Sequence, residues 1–375
     1  MFQNAGFNRH GRKNEKMVEW KVRLYRNGDE EQIVDLLNSQ LAADANLEEI
    51  SSRSNAISMD SWIWNFKNNP YGFLIAVSEH KEKIIGYMGL FCYDMKVGDK
   101  IIRGSQGSRL FVHPDFRRQG MFLEIGKTLL KAAGERGVTL SIAFPNEPAY
   151  RGHIQYGWFE AYKIPVMTTY FDISSILRKR KTLLPGLVSR AINYYYSRKR
   201  KGKIPSEDLS IKKITRFDKR IDDFWNRVAE RHKMMNVRNS TYLNWRYLDK
   251  PKATYETFIA EKEGQIEGYL VTDKQQDETA NVGWIIDVLC SSRSVFLNLV
   301  RHAVEHLNSY SVDSIRCFIQ ENKSEYEWMK KSGFTGYPRP KVTMIARINS
   351  PEISQALYDE ASKDWYVTYG DGDFM

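Results

Sequence analysis

Hydrophobic positions recur along the chain in two rhythms. From Glu19 to Tyr25 apolar and polar residues alternate, the period of a half-buried strand, and Ile33, Leu36, Leu37 and Leu41 then repeat at helical spacing. A second helical piece holds Trp62, Trp64 and Phe66 and stops at Pro70, which cannot donate to the preceding turn. Strands are predicted at Phe73 to Val77 and Ile84 to Phe91, joined by the polar turn Ser78 to Lys83, and a third from about Ile101 to Val112. A helix follows Gly120, with Phe122, Leu123, Ile125, Leu129, Leu130, Ala132 and Ala133 on its apolar positions. Thr139 to Phe144 reads as a buried strand, Asn146 opens a short helix ending at Gly157, and strand-like sequence runs on to Phe171. This alternation predicts an α/β (α+β) fold, a mixed sheet with helices.

The pattern then returns. WNFKNNP, from Trp64 to Pro70, recurs as WRYLDKP, from Trp245 to Pro251, at an offset of 181 residues. FLIA from Phe73 recurs as TFIA from Thr257, offset 184, and KIIGYM from Lys83 as QIEGYL from Gln265, offset 182. Asn146 and Gly157 are eleven residues apart, as are Asn322 and Gly333 at offset 176. Four matches in one order predict two tandem domains of one fold, each a mixed, mostly antiparallel sheet flanked by helices. The expected division is a leader over 1–17, a first domain over 18–171, a basic linker over 172–208, a second domain over 209–348 and a tail over 349–375. The tail ends DWYVTYGDGDFM, aromatic and acidic, and is expected to pack back on the body.

The chemistry concentrates between Gly107 and Ala133. A strand ends at Val112, a turn follows at His113, Pro114 and Asp115, and a basic loop of Arg117, Arg118 and Gln119 leads through Gly120 into the helix. Such a junction turns backbone N–H groups toward one point at a helix start, where the macrodipole favours negative charge. Glycine lets a ligand approach the backbone closely, and the two arginines add charge-assisted hydrogen bonds, so a pyrophosphate suits the place.

Val112, His113, Pro114 and then Arg117-x-x-Gly120-x-Phe122 resemble the acetyl-CoA motif of the GNAT superfamily of N-acetyltransferases, with Phe122 standing where the motif has a small residue. The resemblance implies acetyl-CoA as acyl donor, with contacts at Leu110, Phe111, Val112, Arg117, Arg118, Gln119, Gly120, Met121 and Phe122, and with Asn146 at the next helix start. It implies an amine acceptor, a small molecule or a peptide. Many members carry a tyrosine four residues before the glycine of the later G-F turn, where it protonates the leaving thiolate. That position is His153 here, and Tyr150 and Tyr156 flank it. No carboxylate lies between Arg103 and Val112, where some relatives have a glutamate, so a general base is missing from the sequence. In the second copy SSRSVFLNLVRHAVEHL follows the corresponding strand, with no glycine and with Arg293 as the one arginine where the first copy has its basic loop, and Met329 takes the place of His153. A pyrophosphate site is therefore expected in the first copy alone. A Fem-like aminoacyl-tRNA-dependent transferase and a non-catalytic acyl-CoA-binding module are the competing readings.

Composition narrows this little further. Of 375 residues 42% are hydrophobic, with nine Trp and twenty-one Tyr, which excludes a disordered polymer. No apolar run reaches bilayer length, and the leader has no signal-peptide core, so the expectation is a soluble, cytoplasmic protein with no transmembrane segment. Cys92, Cys290 and Cys317 are odd in number and far apart, which suits a reducing compartment. The net charge of +10 equals the ten Lys and Arg between Arg178 and Lys203, a stretch without a single carboxylate. Basicity is thus local: no specific nucleic-acid partner is expected, while linker 178–203 offers an anionic surface or partner a contact. His302, Glu305 and His306 match the zinc pattern H-x-x-E-H, but no third ligand is marked by spacing and no metal is expected.

Overall fold

The computed structural model describes residues 19–43, 57–179, 181, 186–200, 208–276 and 280–373; the leader and parts of the linker expected from sequence lie outside them. The first half runs β1 (Lys21–Leu24), α1 (Glu30–Ala43), α2 (Met59–Asn65), β2 (Phe73–His80), β3 (Lys83–Val97), β4 (Lys100–Val112), α3 (Met121–Glu135), β5 (Leu140–Ala143), α4 (Glu147–Ile154) and β6 (Phe159–Tyr170). Two helices, α5 (Ile173–Lys179) and α6 (Gly186–Arg200), follow. The second half runs β7 (Ser210–Ile214), α7 (Arg220–Ala229), β8 (Met234–Asn236), α8 (Ser240–Leu243), β9 (Glu256–Lys262), β10 (Gln265–Gln276), β11 (Asn281–Cys290), α9 (Arg293–Asn308), β12 (Ser314–Phe318), α10 (Ser324–Lys331), β13 (Thr335–Ile348) and α11 (Gln355–Ser362).

Local chemistry sets several boundaries. The β2–β3 turn is tighter than the polar run suggested: β2 continues to His80, and Lys81 and Glu82 alone turn the chain, both with left-handed backbone (φ 47° and 64°). Two left-handed residues match the twist of a two-residue hairpin. Ser58 caps α2 by accepting from the Ser61 N–H. On α3, Met121, Ile125, Leu129, Leu130 and Ala133 form the buried stripe, each large side chain contributing about 1.5–3 kcal/mol. The helix comes so close to β3 that a Cβ on Gly86 would stand 2.8 Å from Ile125 Cδ1.

One mostly antiparallel sheet passes through the whole chain, in the order β1-β2-β3-β4-β5-β13-β6-β12-β11-β10-β9-β7, with β8 pairing β3. The two ends of this order have the same construction. In each, a long antiparallel hairpin (β3–β4, β10–β11) is followed by a helix and a strand that pairs in parallel (β4–β5, β11–β12). The last strands are exchanged: β6 pairs β12 of the second half, and β13 pairs β5 of the first. The boundaries drawn at 171 and 209 therefore divide the sequence without dividing the sheet. Trp64 and Trp245, the pair at offset 181, meet across the halves. Each indole donates to the other's backbone carbonyl, at 2.7 and 3.0 Å, and the rings stack at 5.6 Å.

Candidate active site

β4 carries the site because beyond Gln106 it is paired on one side only, with β3. It pairs with β5 at Gly104, Ser105 and Gln106, Gly107 still lies against Ala143, and the edge from Ser108 to Val112 has no pairing with β5. On its other side the register against β3 shifts between Tyr87 and Gly89, a bulge where Arg109 takes a left-handed φ of 46°. Leu110 is half-buried on this stretch, and Phe111 and Val112 are buried.

The loop beyond β4 has the geometry of an anion cradle. Arg118 (φ 65°) and Gly120 (φ 85°) are both left-handed, and the N–H groups of Arg118, Gln119 and Gly120 meet no backbone carbonyl of the described residues. No side chain caps α3 at Gly120, and a Cβ there would meet nothing within 4 Å. Gln119 has a buried Oε1 with no hydrogen-bond partner. Arg117 donates from Nε to the Val112 carbonyl at 3.1 Å and lies over Phe111; Arg118 is exposed. An open helix start, free N–H groups and two guanidinium groups fit a pyrophosphate. Met121 is buried, taking a hydrogen bond from the Ser78 hydroxyl to its sulfur.

Phe122 turns away from this loop toward α4. A Cβ on Gly152 would come within 2.4 Å of its ring, and it meets His153 and Tyr156 edge-on at 5.3 and 6.1 Å. Asn146 acts as the cap of α4, its Oδ1 accepting from the Ala149 N–H at 3.0 Å. Among the described residues the structure shows it in no other role.

His153 sits inside this aromatic box. It is 4% exposed, Trp158 closes the box at 5.2 Å, and Nδ1 donates to the Ala149 carbonyl at 2.8 Å. Burial lowers its pKa, against a smaller opposing effect of that hydrogen bond, so the neutral ring with its proton committed to Ala149 is favoured. Tyr156 is buried with an unpartnered hydroxyl and its pKa is raised by burial. Tyr150 is half-buried, its hydroxyl 3.4 Å from Glu160.

The carboxylate absent from β4 arrives from the tail. Asp373 Oδ2 accepts from the Ser108 hydroxyl at 2.7 Å, at the point where β4 has left β5. Two residues earlier on the same face, Gln106, with its amide oriented to suit, donates to the Asp371 carbonyl and accepts from the Asp373 N–H. A set of buried cations fixes this strand of tail. Arg246 donates to the Gly370 and Gly372 carbonyls at 3.1 and 2.6 Å. Arg238, fully buried, reaches Asp371 at 2.7 Å and Asp287 at 3.2 Å. Asp287 also accepts from Tyr247, Tyr269 and Thr368. The acidic ending was visible in the sequence, but its docking on β4 depends on contacts more than 120 residues apart and had no local signal.

At the corresponding place in the second half the features are closed. Ser292 caps α9 by accepting from the Val295 N–H at 3.2 Å. β11 parts from β12 after Trp284, and there the tail lies along it, with Tyr369 on Trp284 and Tyr366 bonded to the Val288 carbonyl. His306 of the H-x-x-E-H pattern pairs with Glu256 at 2.6 Å, and no group of three His, Cys, Asp or Glu side chains gathers as a metal site among the described residues. No helix among them is long and apolar enough to cross a membrane.

Comparison with known proteins agrees with this geometry. Residues 21–159 match the model of the acetyltransferase (GNAT) domain. No curated protein matches the chain by sequence. Among solved structures, a GCN5-related N-acetyltransferase from Anabaena variabilis superposes with a TM-score of 0.61 at 13% identity, over 88% of this chain and 73% of that one. A probable N-acyltransferase from Enterococcus faecalis gives 0.63 at 15% identity, with the same 88% and 73%. The N-myristoyltransferase of Saccharomyces cerevisiae with bound myristoyl-CoA gives 0.61 at 10% identity, over 93% of this chain and 89% of that one. The match over residues 21–159 and these superpositions together show that the chain shares the fold of these acyltransferases.

Proposed function

We propose that the chain moves an acetyl or related acyl group from CoA to an amine, with the donor bound in the first half. The observation that carries this is the joint presence, on one strand, of an open edge leading into an uncapped basic helix start and of a carboxylate docked beside it. The pyrophosphate would rest on Arg117, Arg118 and the N–H groups through Gly120, and the pantetheine arm would pair along Leu110 to Val112. Asp373 would take the proton of the attacking amine nitrogen. A new C–N bond forms, the C–S bond breaks, and the thiolate regains the proton that Asp373 removed, so the reaction balances without an acid from α4. The second half, with its capped helix and filled groove, is read as a degenerate copy of the GNAT domain.

The test is thiol release from acetyl-CoA and from myristoyl-CoA over a panel of amines, together with calorimetric binding of CoA. Asp373→Asn is expected to lower kcat by about a hundredfold or more at unchanged CoA affinity. Arg117→Ala is expected to weaken CoA at least about tenfold, the usual loss for a charge-assisted contact. Absence of CoA binding, or wild-type turnover by Asp373→Asn, would overturn the reading.

A further inference from the structure

Helix α6 is fastened by one face and bare on the other. Inward, Ser189 and Tyr196 are buried, the Tyr196 hydroxyl meets Thr335 Oγ1 at 2.7 Å, and Arg200 reaches Thr169 at 3.1 Å over the ring of Phe171. Outward stand Leu187, Tyr194, Tyr195 and Val188, exposed to 79, 66, 49 and 41%. Leu187, Ala191, Tyr194, Tyr195 and Arg198 follow one another at i, i+4, i+7, i+8 and i+11, so they share one arc of the helix. Leu187, Val188, Ala191, Ile192 and Tyr195 line an open groove of about 600 Å³ with Ile173 of α5 and with Tyr196 at its inner side. Large side chains this exposed and this contiguous are unusual on a surface that meets only water.

The charge around the arc has one sign. Arg190 and Arg198 are exposed on α6, Lys199 lies over the Tyr195 ring at 4.9 Å, and Lys181 is exposed between the helices. Arg178 of α5 is 3.9 Å from Asp172, which precedes a run, 173–203, with no acidic residue at all. From this we propose that α6 is a docking surface for an anionic lipid bilayer: the aliphatic and tyrosine side chains enter the headgroup boundary while the flanking cations meet acidic headgroups. Tyrosine is suited to that depth, its ring apolar and its hydroxyl wet. A second copy of the chain is a poorer occupant, because a two-fold contact would press like charges together. Nucleic acid would use the cations and the rings and leave Leu187 and Val188 without a role.

Flotation of the full chain with vesicles tests this, using phosphatidylcholine alone and phosphatidylcholine with 30 mol% phosphatidylglycerol. The chain is expected to float with the acidic vesicles, to stay down with the neutral ones, and to be released by high salt. Each basic residue near an anionic leaflet contributes roughly fivefold, so Arg190, Arg198 and Lys199 changed together to Gln should lower binding about a hundredfold. Leu187→Glu with Tyr195→Glu should abolish it while leaving the thermal melt unchanged, since both side chains are exposed. Failure to float with acidic vesicles, or flotation untouched by the Leu187 and Tyr195 changes, overturns the proposal. So does a dimer in free solution that these changes dissolve, or tight RNA binding that they leave intact.

Discussion

Arg238→Met isolates what holds the tail. The side chain is fully buried between Asp287 and Asp371 and donates also to the Asn236 carbonyl and to Thr368. Removing it leaves two carboxylates in the core without their cation, and breaking a buried pair in this way costs about 3–5 kcal/mol. Burial already raises the Asp371 pKa against the pull of Arg238, so Asp371 in the variant should take up a proton when the chain folds. Against a typical stability of about 5–15 kcal/mol that is a large fraction, readable as a shift in urea midpoint. Asp373 lies two residues beyond Asp371, so whatever fraction remains folded should also lose turnover while retaining CoA, whose proposed contacts lie on the loop before α3. Adding Asp287→Asn and Asp371→Asn removes the stranded charges and should recover part of the stability, though not turnover, because the neutral set no longer fixes the tail. A change below about 1 kcal/mol for Arg238→Met, or a triple variant as unstable as the single one, would refute the reasoning.

Three further outcomes are expected. Gly152→Ala drives a methyl to 2.4 Å from the Phe122 ring and should destabilise by about 1–3 kcal/mol, with Phe122→Leu on the same chain restoring most of it in a denaturant melt. His232 has its pKa pushed down to about 3 by burial and by Lys323 at 3.3 Å. The unfolded chain therefore binds that proton first; stability is complete above pH 6.5 and falls as pH drops toward 3, by about 2 kcal/mol at pH 5, and His232→Asn should flatten this slope. His153→Ala should cost about 2–4 kcal/mol by emptying its aromatic box, with turnover per folded molecule within a few fold of wild type. A hundredfold loss in a fully folded sample would return the histidine to the mechanism.

Where the sequence was legible, a local period or a local motif stood behind it. The strand, loop and helix from Gly107 to Ala133 appear as read, because alternation, Gly120 and the apolar stripe each act within a few residues. The offset of 181 linked two tryptophans that exchange hydrogen bonds. What escaped is non-local. The spacing of His153 matched a pattern of positions, but its chemistry is set by Phe122 and Trp158, and nothing in the spacing says that Phe122 would turn onto Gly152 and close the box. The exchange of β6 and β13 joins strands more than 140 residues apart, a distance over which no local period carries information. Asp373 stands 265 residues from Ser108, and an acidic tail gives no indication of where it will dock.

The closed groove of the second half and the open groove of the first belong to one arrangement. A strand that leaves its parallel neighbour exposes a row of unpaired backbone groups, which must be met by ligand, water or protein. Along β11 the tail takes that place: the Tyr366 hydroxyl donates to the Val288 carbonyl, Thr368 and Tyr369 meet the Asp287 and Trp284 side chains, and Ser292 caps the helix beyond. The tail that lies against β11 runs on to reach β4. Gly370 makes the passage feasible, since a Cβ there would come to 2.0 Å of the Tyr247 hydroxyl. Three residues later the chain reaches Ser108 with a carboxylate. The proposed division of labour between the halves thus has a structural counterpart: the tail that lies against β11 is the segment that brings Asp373 to β4, beside the proposed donor groove.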